Sequence, residues 1–242
     1  MAAPPSRAET ATGAESHEQH REDNWLRDVI LGGQDGLVNV LGIVLGATAA
    51  GAGSRILIAT ALAATFAEAI SMGAVAYTSS LAERDHYLSE LEREKMEMQT
   101  IPEEEEREIR AIYREKGFDG PLLEQIVERI TSDPEIWLKT MMSEELHLEP
   151  VNTRDVLRTS VIVTIAAIVG GLIPLVPFIV APDSAIWVSI ILSAIALFAV
   201  GAYKAKSLVG DWRKSGIQMV LIGLGAAVAG FVVGRIFGTA GG

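Results

Sequence analysis

Cysteine is absent from this 242-residue chain, which excludes disulfides, thiolate zinc sites and cysteine nucleophiles. Positive charge is scarce as well. Twenty Lys and Arg face 31 Asp and Glu, a net charge of −11, and a nucleic-acid partner is excluded because it needs a basic surface. The N-terminus has no apolar core directly after a basic start, so no signal peptide is expected. Residues 1–24, opening "MAAPPSRAETATGAESHEQHRE", are polar and small and are expected to form a disordered tail.

Apolar residues are abundant, at 49% of the chain with 23 glycines and a mean hydropathy of +0.30. That balance fits a membrane protein carrying a soluble part. The charge is unevenly placed: residues 83–149 hold 20 acids against 9 bases, while the remainder balances at 11 of each. Two physically different regions therefore share the chain.

Apolar runs near the roughly 20 residues needed to cross a bilayer fall at about 29–50, 56–81, 159–180, 184–203 and 216–237. Only "GAGSR" separates the first two, which predicts a tight helical hairpin. Pro174 and Pro177 are expected to kink or stop the third span. Glycines 216, 223, 230 and 234 give the fifth span a smooth face for helix packing. Arg21, Arg27, Arg154, Arg158, Lys204, Lys206, Arg213 and Lys214 flank one set of span ends, whereas "FIVAPDS" carries no base. The positive-inside rule then places the N-terminus and the acidic segment in the cytoplasm and the C-terminus outside. The expected fold is an all-α membrane protein: residues 25–82 form two transmembrane helices, 83–152 a cytoplasmic helical bundle, and 153–242 three more spans. A prokaryotic inner membrane is the expected location.

Span one carries Asp35 and span two carries Glu68, with Met72 one turn further along the same helix face. A carboxylate at the centre of a spanning helix costs about 2.5 to 3.5 kcal/mol on insertion scales. Such groups either fix packing through a hydrogen bond or line an ion path. Carboxylate oxygen beside thioether sulfur suits a borderline cation such as Fe(II), Mn(II) or Co(II) better than Na⁺ or Ca²⁺. On the ion-path reading Asp35 is a site where a proton and a metal ion exchange.

In the acidic segment, span two is expected to continue as one helix to the residues before Pro102. "PEEEEREIRAIYREKG" begins with Pro and stops at Gly117. "GPLLEQIVERITS" is a short amphipathic helix, and another starts at the Asp133 cap and closes at Pro150. Glu94 with Glu97, Glu105 with Glu108, and Met141 and Met142 with Glu145 form three groups at helical spacing. They either converge on a shared metal centre or form solvated faces with Met in the bundle core. A competing pattern is Glu83-x-x-His86 with Glu144-x-x-His147, the spacing of ferritin-like di-iron bundles. It would make the chain a membrane-anchored ferroxidase or storage protein. A metal-sensing scaffold is a third reading.

The stretches "WLRDVILGGQDGLVNVLGIVLG", "AISMGAVAYTSS", "GGLIPLVPF", "LFAVGAYKAK" and "GRIFG" resemble the vacuolar iron transporter family. The resemblance runs from Trp25 to Gly238, in order along all five spans. It implies a homodimeric transporter, not an enzyme, that moves Fe(II), and often Mn(II), out of the cytosol in exchange for protons, with no permanent cofactor. By resemblance, Glu94, Glu97, Glu105, Glu108, Met141, Met142 and Glu145 collect metal in the cytoplasmic domain. Asp35 and Met72 line the path at the dimer interface, and Glu68 joins them through its helix face. This chain departs from the family pattern at Gln34, where Asn is common before Asp-Gly, and at Ala76, where an acid usually stands.

Overall fold

A computed structural model describes residues 7–207 and 210–238, with side chains from Trp25 onward. The described residues contain no strand. The helices are α1 (Arg7–Ala49), α2 (Ser54–Thr100), α3 (Pro102–Glu115), α4 (Gly120–Thr131), α5 (Pro134–Thr140), α6 (Thr153–Val180), α7 (Ala185–Ser207) and α8 (Trp212–Gly238). Of the tail expected over residues 1–24, residues 1–6 lie outside the described residues. From Arg7 onward the backbone is already helical, in a run rich in the helix formers Ala, Glu, Gln and Arg.

Two compact units share these helices. One is Met1–Ala76 with Arg158–Gly242; the other is Tyr77–Leu157, inserted between the second and third spans. The first unit holds helices long and apolar enough to cross a membrane, five in number among the described residues: Trp25–Ala49, α2, α6, Pro182–Ser207 and α8. They answer to the five expected spans. Gly51, at a φ of +81°, makes the turn between α1 and α2, with Ala52 N–H donating to the Ala47 carbonyl at 3.0 Å.

Glycine seams hold this unit together. A Cβ added at Gly230 or Gly234 of α8 would lie 2.1 or 2.0 Å from the carbonyl oxygen of Gly42 or Gly46 in α1. A Cβ at Gly36 would lie 2.3 Å from the Ala167 carbonyl of α6. Backbones in contact at this range replace hydrophobic burial, which gives no advantage where lipid is equally apolar. Val40, Val44, Leu57, Ala61, Leu175 and Phe178 fill the space among α1, α2 and α6.

The expectation that Pro174 or Pro177 ends span three needs correction in part: α6 runs through both to Val180. Membrane helices admit proline because neighbouring groups and small local adjustments satisfy the freed backbone. Buried Ser189 of α7 donates its hydroxyl to the Pro174 carbonyl at 2.7 Å.

In the inserted unit, α3 ends before Gly117, whose φ of +93° suits a residue without Cβ. Asp133 caps α5 by accepting from the Glu135 and Ile136 amides. Ile109, Leu123, Val127, Ile130 and Met141 form the core. The last helix does not reach Pro150. It passes into one π-helical turn, Met141–Glu145, and the chain leaves through His147 at a φ of +53°.

Candidate functional site

The inserted unit uses carboxylates where a helical bundle ordinarily uses hydrophobes. On α3 the buried stripe consists of Glu105 and, one turn later, Ile109. On α2 the corresponding position is Glu94. Both glutamates are 2% exposed, and each keeps one buried oxygen without a hydrogen-bond partner, as does Glu145 of the π turn. An unpaired buried carboxylate oxygen is strongly unfavourable, and the inserted unit holds four, at Glu90 as well as at these three.

These three belong to a single electrostatic cluster. Glu105 feels the charges of Glu108, Glu94, Glu97 and Glu145, and Glu145 feels those of Glu108, Glu94 and Glu97. Glu97 and Glu145 are half-buried and Glu108 is exposed. The five acids proposed from spacing are thus brought together from α2, α3 and the π turn. Met142 is buried, and Met141, fully buried, belongs to the apolar core. The π turn supplies Met141, Met142 and Glu145 in succession, and turns of this kind recur at functional sites. Among the described residues, no three carboxylates or imidazoles already close on one point as a finished ion cage.

Burial first, then the surrounding carboxylates, pushes Glu105 from 4.5 to about 7. Burial and Glu108 also push Glu145 to about 7, against the opposing influence of Arg93. A carboxyl raised on folding stabilises the metal-free fold fully below 4.5, and that stability is lost as pH rises through about 7. Metal-free protein is therefore expected to unfold at a higher temperature at pH 5 than at pH 8. Glu105→Gln should flatten that difference. Equal midpoints for the wild type at both pH values contradict the shared-cluster electrostatics.

The di-iron pattern is not assembled. Glu144 is ion-paired with Lys116, and His147 lies outside any helix with its ring facing the Ser143 carbonyl. His86 is 60% exposed and 3.9 Å from Glu90. The i,i+3 geometry required of Glu144 and His147 is lost at the end of the π turn.

In the membrane unit, Asp35 and Glu68 meet across α1 and α2, their carboxyl groups within hydrogen-bonding reach. Asn39 donates from Nδ2 to Glu68 Oε1 at 2.5 Å. Asp35 and Asn39 lie one turn apart on the exposed side of α1, while Glu68 and Met72 are half-buried on α2. Beside Met72, the Gly73 carbonyl accepts from Ser160 Oγ of α6 at 2.7 Å. Ala76 leaves no acid in that turn.

Sequence reasoning missed Asn39, although it is the next polar residue one turn beyond Asp35. It also missed Asp28, two turns before Asp35 and hydrogen-bonded to Thr159 of α6. In the inserted unit it missed Glu90 and Arg93, which flank Glu94 within one turn.

Comparison with known proteins identifies the family of the chain. Residues 26–235 match the VIT family. A vacuolar iron transporter of Centaurea cyanus is 34% identical over 89% of each chain. Vacuolar iron transporter 1 of Arabidopsis thaliana is 32% identical over 87% of this chain and 85% of its own. A vacuolar iron transporter of Plasmodium falciparum is 31% identical over 92% and 85%. With five apolar helices, acids inside two of them and a match across nearly the whole chain, this protein belongs to the VIT family and is a transporter, not an enzyme.

Proposed function

We propose that this chain carries Fe(II) out of the cytosol in exchange for protons, and carries Mn(II) through the same donors. The observation that supports transport most directly is the Asp35–Glu68 pair. Two carboxyl groups from adjacent spans are held together in an apolar unit, with Asn39 donating to Glu68. A bare carboxylate is unfavourable there, so proton release is favoured when a cation arrives, and cation release when a proton returns. Met72, one turn from Glu68, adds a softer donor suited to borderline metals, and Asp28 extends the row of acids towards the N-terminal end of span one.

The inserted unit is read as a cytosolic collector in which Glu94, Glu97, Glu105, Glu108 and Glu145 bind the ion with sulfur from Met142 and Met141. Buried carboxylate oxygens with no partner support it, as does the names of the relatives, which are iron transporters. The distribution of Lys and Arg supports this unit's cytosolic side. Asp35 and Asn39 face outward from the single chain, and a second copy covering that face would close the path as a homodimer.

The test is Fe(II) uptake into proteoliposomes with and without an imposed pH gradient. Uptake that follows the gradient is expected. Uptake indifferent to it removes proton coupling, and none in liposomes whose protein still binds iron returns the weight to a sensor or storage role. Replacing Glu94, Glu97, Glu105 and Glu108 together with Ala should slow transport at low Fe(II) and spare it at high Fe(II). Equal loss at both concentrations contradicts a collecting role.

A further inference from the structure

Arg93 stands in the acidic cluster in a way that the metal-collecting reading does not use. Its guanidinium lies 2.7 Å from Glu90 Oε2, 3.5 Å from Glu94 Oε1 and 3.5 Å from Glu97 Oε2. Glu90, Glu94 and Glu97, spaced by four and three, share one face of α2. The approach to Glu90 is close but not aligned as a hydrogen bond. Half of the Arg93 side chain is in solvent, so it reaches the cluster from outside and is not packed into it.

We propose that Arg93 is the resident counter-cation of the carboxylate cluster, and that a divalent ion displaces it from Glu94 and Glu97 onto Glu90. This rests on the cluster being the metal-collecting site. The contacts divide in the required sense, with one near partner and two loose ones. A small divalent cation sits roughly 2.1 Å from a carboxylate oxygen. With twice the charge at that distance, its attraction to each carboxylate is roughly three times that of a guanidinium 3.5 Å away. The ion therefore takes Glu94 and Glu97, and Arg93 retains Glu90, its nearest partner. A monovalent cation lacks the doubled charge and displaces the guanidinium far less readily. Arg93 thus sets both the concentration at which the cluster loads and its preference for divalent over monovalent ions. The orphaned oxygens of Glu94, Glu105 and Glu145 are what one resident cation leaves unpaired.

The test measures Mn(II) binding to full-length, metal-free protein in detergent, from the signal of free Mn(II), with thermal unfolding of the same samples. Arg93→Gln is expected to raise Mn(II) affinity by about tenfold and to lower the unfolding midpoint of the metal-free form. A purely structural role moves both properties downward. Arg93→Lys, which keeps the charge, should return affinity to near the wild-type value. Glu90→Gln should weaken binding, because Arg93 then has only Glu94 and Glu97. In the Arg93→Gln background, Glu90→Gln should have no further effect, a coupling read directly from the double-mutant cycle. Unchanged or weaker binding in Arg93→Gln overturns the proposal. A loss from Glu90→Gln that persists without Arg93 also overturns it, by making Glu90 a direct ligand. Glu105→Gln separates this from the reading beneath it: if that variant binds Mn(II) as the wild type does, the cluster is not the metal site and both fail.

Discussion

Asp35→Ala is expected to reduce Fe(II) flux in proteoliposomes to the level of protein-free vesicles while leaving Mn(II) binding by the inserted unit intact. The size follows from where the residue sits. Asp35 pairs with Glu68 between two spans, and an acid inside a spanning helix costs about 2.5 to 3.5 kcal/mol, the scale of the cation attraction that has to offset it. At roughly 1.4 kcal/mol per factor of ten, flux falls by about two orders of magnitude. Asp35→Asn is the sharper variant. It keeps the shape and a hydrogen bond to Glu68 but can neither release a proton nor neutralise a cation, and it is expected to be equally inactive. Flux retained by Asp35→Asn would assign the residue to packing. Asn39→Ala should have a smaller effect, because it removes a donor to Glu68 and no charge.

The second large effect is on the fold. Gly230→Ala combined with Gly234→Ala is expected to destabilise the membrane unit by about 3 kcal/mol or more. Each new Cβ would be driven to 2.1 or 2.0 Å from a carbonyl oxygen of α1, and backbone cannot rotate away as a side chain can. Glycine-to-alanine exchange within a helix normally stabilises by roughly 0.5 to 1 kcal/mol, so the clash reverses the ordinary sign. Gly225 on the same helix meets nothing within 4 Å, and Gly225→Ala should leave the thermal midpoint equal or slightly raised. A double variant that keeps the wild-type midpoint and remains monodisperse in detergent would show that α1 and α8 are not joined through these glycines.

The spans were legible because length and hydropathy are properties of contiguous sequence, and bilayer thickness fixes what counts as long enough. The shared face of Glu94 with Glu97, and of Glu105 with Glu108, was legible for a related reason, since spacings of three hold on a helix whatever it packs against; whether those faces and Glu145 converge was left open, because it depends on how the helices pack. The continuation of α6 through Pro174 and Pro177 was not, since it depends on what surrounds the freed carbonyls. Neither was the π turn at Met141–Glu145, which shifts His147 out of helical register with Glu144; a one-residue change in winding leaves no compositional mark. Nothing in the sequence sets Arg93 apart from the other bases of a mixed-charge helix. Its place among three carboxylates follows from a rotamer, which sequence does not encode locally. Asn39 shows the opposite case, a signal one turn from Asp35 that was present and passed over.

The glycine seams also bear on movement. Where carbonyl meets glycine, two helices have no compressible layer of side chains between them, so a displacement of one is passed to the other undiminished. The seams tie α8 and α6 to α1, making these three helices a single mechanical block that carries Asp35. The α1–α2 contact that carries Glu68 is made instead through Val40, Val44, Leu57 and Ala61 and through the Asn39 hydrogen bond, contacts that re-form by changing rotamers. α2 is also held close to α6 at Gly73, where a Cβ would lie 2.0 Å from Thr164 Oγ1, but that neighbour is a side-chain hydroxyl, so the contacts around Glu68 are the ones that rotamer changes can remake.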